Sequence, residues 1–172
     1  AGKKIRELKK ITRNKNSTVR AMTNTPVSLG MGTSIIYFDK GIKRQSKNLA
    51  KEFLALVGQV NETKNESAID SFTAIYGSGP AYIYLMIESL TKISSKAGLK
   101  NSENMVIQTF LGSLLLLMSG NSNAKTLREN VTSKGGTTQA ALSILNSPNG
   151  LPKLLSRAIN KARKRSIELS GN

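Results

Sequence analysis

The sequence contains no cysteine and no histidine. Without thiols there is no disulfide, no thiolate metal site and no cysteine nucleophile. Without imidazole the commonest general base and the commonest metal ligand are gone as well. No metal site is expected, and no catalytic side chain is assignable. If the chain serves an enzyme, a cofactor must carry the difficult step. Long apolar runs are also scarce. The longest, Leu111 to Met118, is far too short to span a bilayer. No signal-peptide pattern opens the chain, so a reduced, cytoplasmic setting is expected. Acidic residues are few, 10 against 26 Lys and Arg, for a formal charge of +16. Such an excess would draw nucleic acid or an anionic surface. Yet the basic residues are scattered, except at Lys3-Lys4, Lys9-Lys10 and Arg163-Lys164-Arg165, and aromatics make up only 5%. With so little stacking surface interleaved, neither a nucleic-acid nor a membrane partner is expected.

What is present divides into two dissimilar pieces. At 172 residues the chain fits one domain, or one domain plus a fragment of another. Ile5, Leu8 and Ile11 space a short surface helix within the lysine-rich stretch from Gly2 to Asn16. Two β-branched runs, Thr18 to Ala21 and Thr33 to Phe38, read as strands around a loop holding Asn24-Thr25-Pro26 and Gly30 to Gly32. Residues 43 to 57 read as an amphipathic helix, and "GQVNET" as a last short strand. Residues 1–62 thus read as α/β structure with too few strands to make a sheet. From Ser67 onward the pattern is helical. A short helix runs to Ile75 and is ended by Gly77. A long one opens at Gly79-Pro80, where proline at the first helical position costs no hydrogen bond, and stops at Gly98. Asn101 or Ser102 then caps a helix reaching Met118. Further helices are expected from Thr137 to Leu145 and from Leu151 to Leu169. The helix around Leu111 to Leu117 is apolar on nearly all sides, which points to burial across a subunit interface. The expected fold is mainly α: an incomplete α/β piece over 1–62, then an all-helical domain over 63–172.

One stretch points to chemistry. In "VTSKGGTTQAAL", residues 131–142, two glycines and four small hydroxyl residues crowd together just before a helix. A helix N-terminus offers unpaired N–H donors and the positive end of a dipole, which suits an anion. A plain hydroxyl cap beside a glycine turn is the local alternative.

Three stretches together resemble Δ1-pyrroline-5-carboxylate reductase: "RAMTNTPVSLGMG" (Arg20 to Gly32), "GSGPAYIYLMIESL" (Gly77 to Leu90) and "LRENVTSKGGTTQAAL" (Leu127 to Leu142). Their order and separations match that family. The resemblance covers the tail of a Rossmann domain and a whole helical dimerisation domain. It implies NADPH- or NADH-dependent reduction of 1-pyrroline-5-carboxylate to L-proline, the last step of proline biosynthesis. It also implies intertwined homodimers, or rings of dimers.

Residue by residue, the resemblance gives the loop a substrate carboxylate, held by Ser133, Gly136, Thr137 and Thr138, with Gly135 allowing close backbone approach. It puts Asn24, Thr25 and Pro26 beside the nicotinamide end of the cofactor, although an ordinary turn between strands is the local alternative. Gly77 to Pro80 match the entry to the dimerisation helix, where structure is the larger role. The family's phosphate-binding turn, a strand followed by G-x-G-x-x-G/A and a helix, has no counterpart here. "GMGTSIIYF" has its glycines ahead of a strand, the wrong order. The chain opens on Ala1, and the main cofactor site is expected upstream of it. This chain alone is expected to be inactive, and a helical dimerisation fragment without catalysis is the alternative reading. Three departures stand out: Lys134 replaces a proline, Tyr76 replaces a small serine, and "NSNAKTL" offers no acidic residue, histidine or proline before the loop. No proton donor can be transferred.

Overall fold

The computed structural model describes residues 2–13 and 17–171. Asn14 to Asn16, expected at the tail of the first helix, lie outside the described residues. Two compact units emerge: residues 1–82 with 157–172, and residues 83–156. The division falls inside two long helices.

The first unit is built around a strand that is buried on both faces. Helix α1 (Ile5–Ile11) precedes β1 (Val19–Thr23), a 3-10 turn (Thr25–Leu29) and β2 (Gly32–Phe38). Then come α2 (Arg44–Ala55), β3 (Gly58–Thr63) and α3 (Ala68–Phe72). β2 pairs antiparallel with β1, Val19 opposite Phe38, and parallel with β3, Gly32 opposite Gly58. The expectation of too few strands for a sheet is therefore wrong. Three strands suffice because β2 has a partner on each edge and Ile35, Ile36 and Phe38 are buried. Ile35, Ile69 and Phe72 form the core, with Met22, Tyr37 and Ala68 against it.

The sheet closes tightly at its start. Gly58 has φ +141°, and a Cβ there would sit 2.0 Å from the Gly32 carbonyl oxygen. Only glycine fits both the backbone and the space.

A charged cluster ties four segments of this unit together. The Arg20 guanidinium on β1, 6% exposed, donates to Glu66 Oε1 at 3.0 Å and lies 3.9 Å from Asp70 Oδ1. Glu66 also accepts the Ile5 N–H at 2.7 Å, at the start of α1. Asp70, on α3, accepts the hydroxyls of Ser166 (2.9 Å) and Ser170 (3.4 Å) near the C-terminus. Every polar group in this buried set has a partner, as burial demands.

After α3 the chain does not stop as expected at Gly77. It runs into a π-helical turn (Thr73–Gly77) and on into α4 (Gly79–Lys96). The Ser78 N–H reaches the Thr73 carbonyl at 2.8 Å, and the Tyr82 hydroxyl donates to the Ala74 carbonyl at 2.8 Å. One residue more than an α-turn frees a carbonyl, and a tyrosine satisfies it.

The second unit is helical. α4 ends at Gly98, φ +81°, and the Leu99 N–H closes back on Ser94. α5 (Ser102–Met118) follows, but neither expected cap performs as one. Asn101 is left-handed, φ 54°, with its side chain unbonded to the helix, and the Ser102 hydroxyl donates backward to the Leu99 carbonyl at 2.7 Å. Next comes α6 (Ala124–Asn130), which the sequence pattern did not announce: only Ala124 and Leu127 are apolar. Asn123 Oδ1 caps it by accepting the Thr126 N–H. α7 (Thr137–Leu145) and α8 (Leu151–Leu169) match their expected bounds. Among residues 83–156 only Ser102 is buried. Leu111, Leu114, Leu115 and Leu116 are each about half exposed. Within one chain these helices leave their apolar surface open. No described helix is long and apolar enough to cross a membrane.

Candidate functional site

The loop from Thr132 to Gly136 has no regular structure, yet its backbone groups are largely committed. The Thr132 hydroxyl donates to the Arg128 carbonyl at 2.6 Å, closing α6. The Gly136 N–H bonds the Ser133 carbonyl at 3.1 Å, and the Gly135 N–H bonds Gln139 Oε1 at 2.5 Å. Gly135 is left-handed, φ +73°. A Cβ on Gly136 would stand 2.3 Å from the Ser133 hydroxyl oxygen. The two glycines thus differ in purpose: one supplies a backbone angle, the other clears space for Ser133.

Gly136 is the residue that caps α7, and having no side chain it caps nothing. The Thr137, Thr138 and Gln139 N–H groups, in the first turn, have no carbonyl of their own helix to meet. Ser133 and Thr137 are exposed and Thr138 is half-buried. Donors available to an anion include those three N–H groups and the hydroxyls of Ser133, Thr137 and Thr138. The Gly135 and Gly136 N–H groups are spent within the loop. Charge favours an anion as well. Lys134 is exposed and has no ion pair among the described residues, and the nearby Glu129 lies 3.9 Å from Lys125 and 3.7 Å from Arg128. Sequence reasoning missed Gln139. A glutamine at the third position of a helix is a known signal for a side chain turned back on the preceding backbone.

Asn24, Thr25 and Pro26 lie in the first unit, and the structure describes them there. Asn24 uses both ends of its amide: Oδ1 accepts the Thr33 N–H at 2.9 Å, and Nδ2 donates to the Tyr76 carbonyl at 3.3 Å. It staples the 3-10 turn to β2 and to the π-turn. Thr25 is exposed, and Pro26 opens the 3-10 turn. The Tyr76 ring packs on Phe72, centroids 5.1 Å apart, and nothing lies within 4 Å of a Cβ built on Gly79. Of the two strand-to-helix turns, the one before α2 holds a single glycine, Gly41, and the one before α3 holds none. No cluster of acidic residues that could hold a metal occurs among the described residues.

A family model for pyrroline-5-carboxylate reductase dimerisation matches residues 66–169, more than half the chain. The chain belongs to the pyrroline-5-carboxylate reductase family. Relatives in that family include pyrroline-5-carboxylate reductase 1 of Bacillus subtilis, 38% identical over 159 residues, which is 91% of this chain and 53% of that protein. The pyrroline-5-carboxylate reductase of Pseudomonas aeruginosa is 36% identical over 154 residues, 88% of this chain and 56% of that one. Among solved structures, the Coxiella burnetii reductase superposes with a TM-score of 0.90 at 34% identity, over 100% of this chain and 64% of that one. A Plasmodium falciparum reductase with NADP bound gives 0.88 at 31% identity, over 99% and 68%. The chain spans about half the length of the curated relatives it matches. It carries the reductase family's dimerisation region behind a partial α/β piece, as the three motifs implied.

Proposed function

We propose that this chain is the carboxylate-anchoring, dimer-forming part of an NAD(P)H-dependent oxidoreductase that reduces 1-pyrroline-5-carboxylate to L-proline in the cytoplasm. The observation that carries this reading is the loop at α7, where the unbonded first-turn N–H groups, the Ser133 and Thr138 hydroxyls and the unpaired Lys134 fall within residues 133–139, in a family named for that substrate. Ser133, Thr137 and Thr138 hold the carboxylate, and Gly135 and Gly136 give the loop its shape. Anchoring one end of a small ring fixes its imine carbon, and such positioning supplies several kcal/mol of a barrier. The nicotinamide cofactor, NADPH or NADH, supplies the hydride. Residues 1–62 are the C-terminal remnant of its binding domain, with Asn24, Thr25 and Pro26 bordering the nicotinamide end. Asn24 is already committed at both ends of its amide, so it shapes that border and Thr25 is the residue left to face the cofactor. The two strand-to-helix turns lack a phosphate-binding glycine pattern, so the main dinucleotide site belongs outside this chain.

Residues 63–172 form the dimerisation and substrate-loop domain. The half-exposed leucines of α5 support a homodimer, alone or within a ring of dimers, because a second copy would take that surface out of water.

The test is NADPH absorbance with 1-pyrroline-5-carboxylate present, using this chain and a chimera. The chimera joins it to the part of the Bacillus subtilis relative that it does not match. Turnover by the chimera only is expected. Turnover by the chain alone overturns the placement of the dinucleotide site. A folded, dimeric chimera without turnover overturns the catalytic reading and leaves a non-catalytic dimerisation module.

A further inference from the structure

We infer that Gln139 is a positioning residue that holds the α7 loop in its anion-receiving shape, an inference that rests on the carboxylate reading above. The geometry is specific. A glutamine three residues into a helix ordinarily reaches back to the N–H of the capping residue itself. Here that N–H, on Gly136, is already bonded to the Ser133 carbonyl at 3.1 Å. Gln139 Oε1 reaches one residue further and takes the Gly135 N–H at 2.5 Å.

Two consequences follow. The left-handed Gly135 is held from both sides, by the Ser133–Gly136 turn and by the side chain, although it has no Cβ and is the freest residue of the loop. The Gly135 N–H is also occupied and so withheld from the anion. What remains unbonded are the first-turn N–H groups of Thr137, Thr138 and Gln139 and the Ser133 hydroxyl, whose oxygen lies where a Gly136 Cβ would crowd it. The loop carries Lys134 and two glycines in a row, so its backbone has little stiffness of its own. A side-chain clamp is the only restraint on the Gly135 amide among the described residues. Gln139 is exposed.

An anion site gains affinity when its donors are held in place before binding, because less ordering remains to be done. A Gln139→Met chain keeps the length of the side chain and helical propensity and loses the acceptor. The test uses the full chain and L-proline as probe, followed by backbone amide NMR shifts at Ser133, Thr137 and Thr138, with prolinamide as the control that lacks a carboxylate. Hydrogen exchange at Gly135 and the melting temperature are read on the same samples.

The expected result has three parts. The unaltered chain shifts with L-proline and not with prolinamide. In Gln139→Met the Gly135 amide exchanges faster while the α7 amides and the melting temperature are unchanged. The dissociation constant for L-proline then rises about tenfold. Faster exchange with unchanged affinity overturns the positioning role, and so does unchanged exchange. An equal response to prolinamide, or no response from the unaltered chain, overturns the carboxylate reading itself. A lowered melting temperature with unchanged affinity assigns Gln139 to stability alone and overturns the inference.

Discussion

Replacing Arg20 by methionine is the most direct test of how the first unit is held together. The guanidinium is 6% exposed and lies between two carboxylates, 3.0 Å from Glu66 Oε1 and 3.9 Å from Asp70 Oδ1. The near contact decides the magnitude. Losing a hydrogen bond to a charged partner costs about 1.5 to 3 kcal/mol. The far contact adds a second penalty, because Asp70 stays buried with two serine hydroxyls but no cation. Removing one partner of a buried charge pair costs about 3 to 5 kcal/mol. Glu66 is a quarter exposed and keeps the Ile5 N–H, so its share is smaller and the lower end applies. Arg20→Met should lose about 3 kcal/mol, a large part of a typical stability of about 5 to 15 kcal/mol. Glu66→Gln, which retains the acceptor for Ile5, should lose only about 1 kcal/mol. The assay is urea unfolding followed at the Ile36 methyl resonance, since Ile36 is fully buried on β2 and reports the first unit alone. A loss below about 1 kcal/mol for Arg20→Met, or strict additivity with Glu66→Gln in a double-mutant cycle, would refute the reasoning.

Gly58→Ala should unfold the same unit, because its Cβ would meet the Gly32 carbonyl at 2.0 Å in a backbone region hostile to side chains; retention of the Ile36 resonance at native dispersion would contradict this. Thr138→Val in the chimera should raise KM for pyrroline-5-carboxylate about tenfold, the value of one charge-assisted hydrogen bond, and an unchanged KM would count against the carboxylate role. Asp39 is held below the ordinary aspartate range chiefly by its hydrogen bond from Lys9, with the Lys40 backbone N–H helping and partial desolvation opposing. A carboxyl depressed in the folded state stabilises above its unfolded pKa, and that stability is lost as pH falls through the folded one. Carboxyl NMR titration should therefore place Asp39 low in the intact chain and return it toward the ordinary range in Lys9→Met.

Much of the helical half was legible because local chemistry marks helix ends. Gly98 terminates α4, and α7 and α8 begin and end where their periodicity does. α6 was not, since Ala124 and Leu127 alone make no stripe and its cap, Asn123, is one of several asparagines nearby. Glycine and hydroxyl spacing marked the loop at Ser133 to Thr138 as a candidate anion site. Which of its N–H groups are free was not, because that depends on where the Gln139 side chain turns.

The sequence by itself determined the family and most of the helices and strands, which are encoded in spacings of a few residues. Only the tertiary structure decided that three short strands make a sheet. β2 gains partners from segments on both sides of it in the chain, and no local pattern states which strands will pair. The same holds for Arg20, Glu66, Asp70, Ser166 and Ser170, which stand up to 150 positions apart (from 20 to 170) and look like ordinary surface residues one at a time. Burying a charge is costly unless its partners are present, and long-range folding alone brings those partners together.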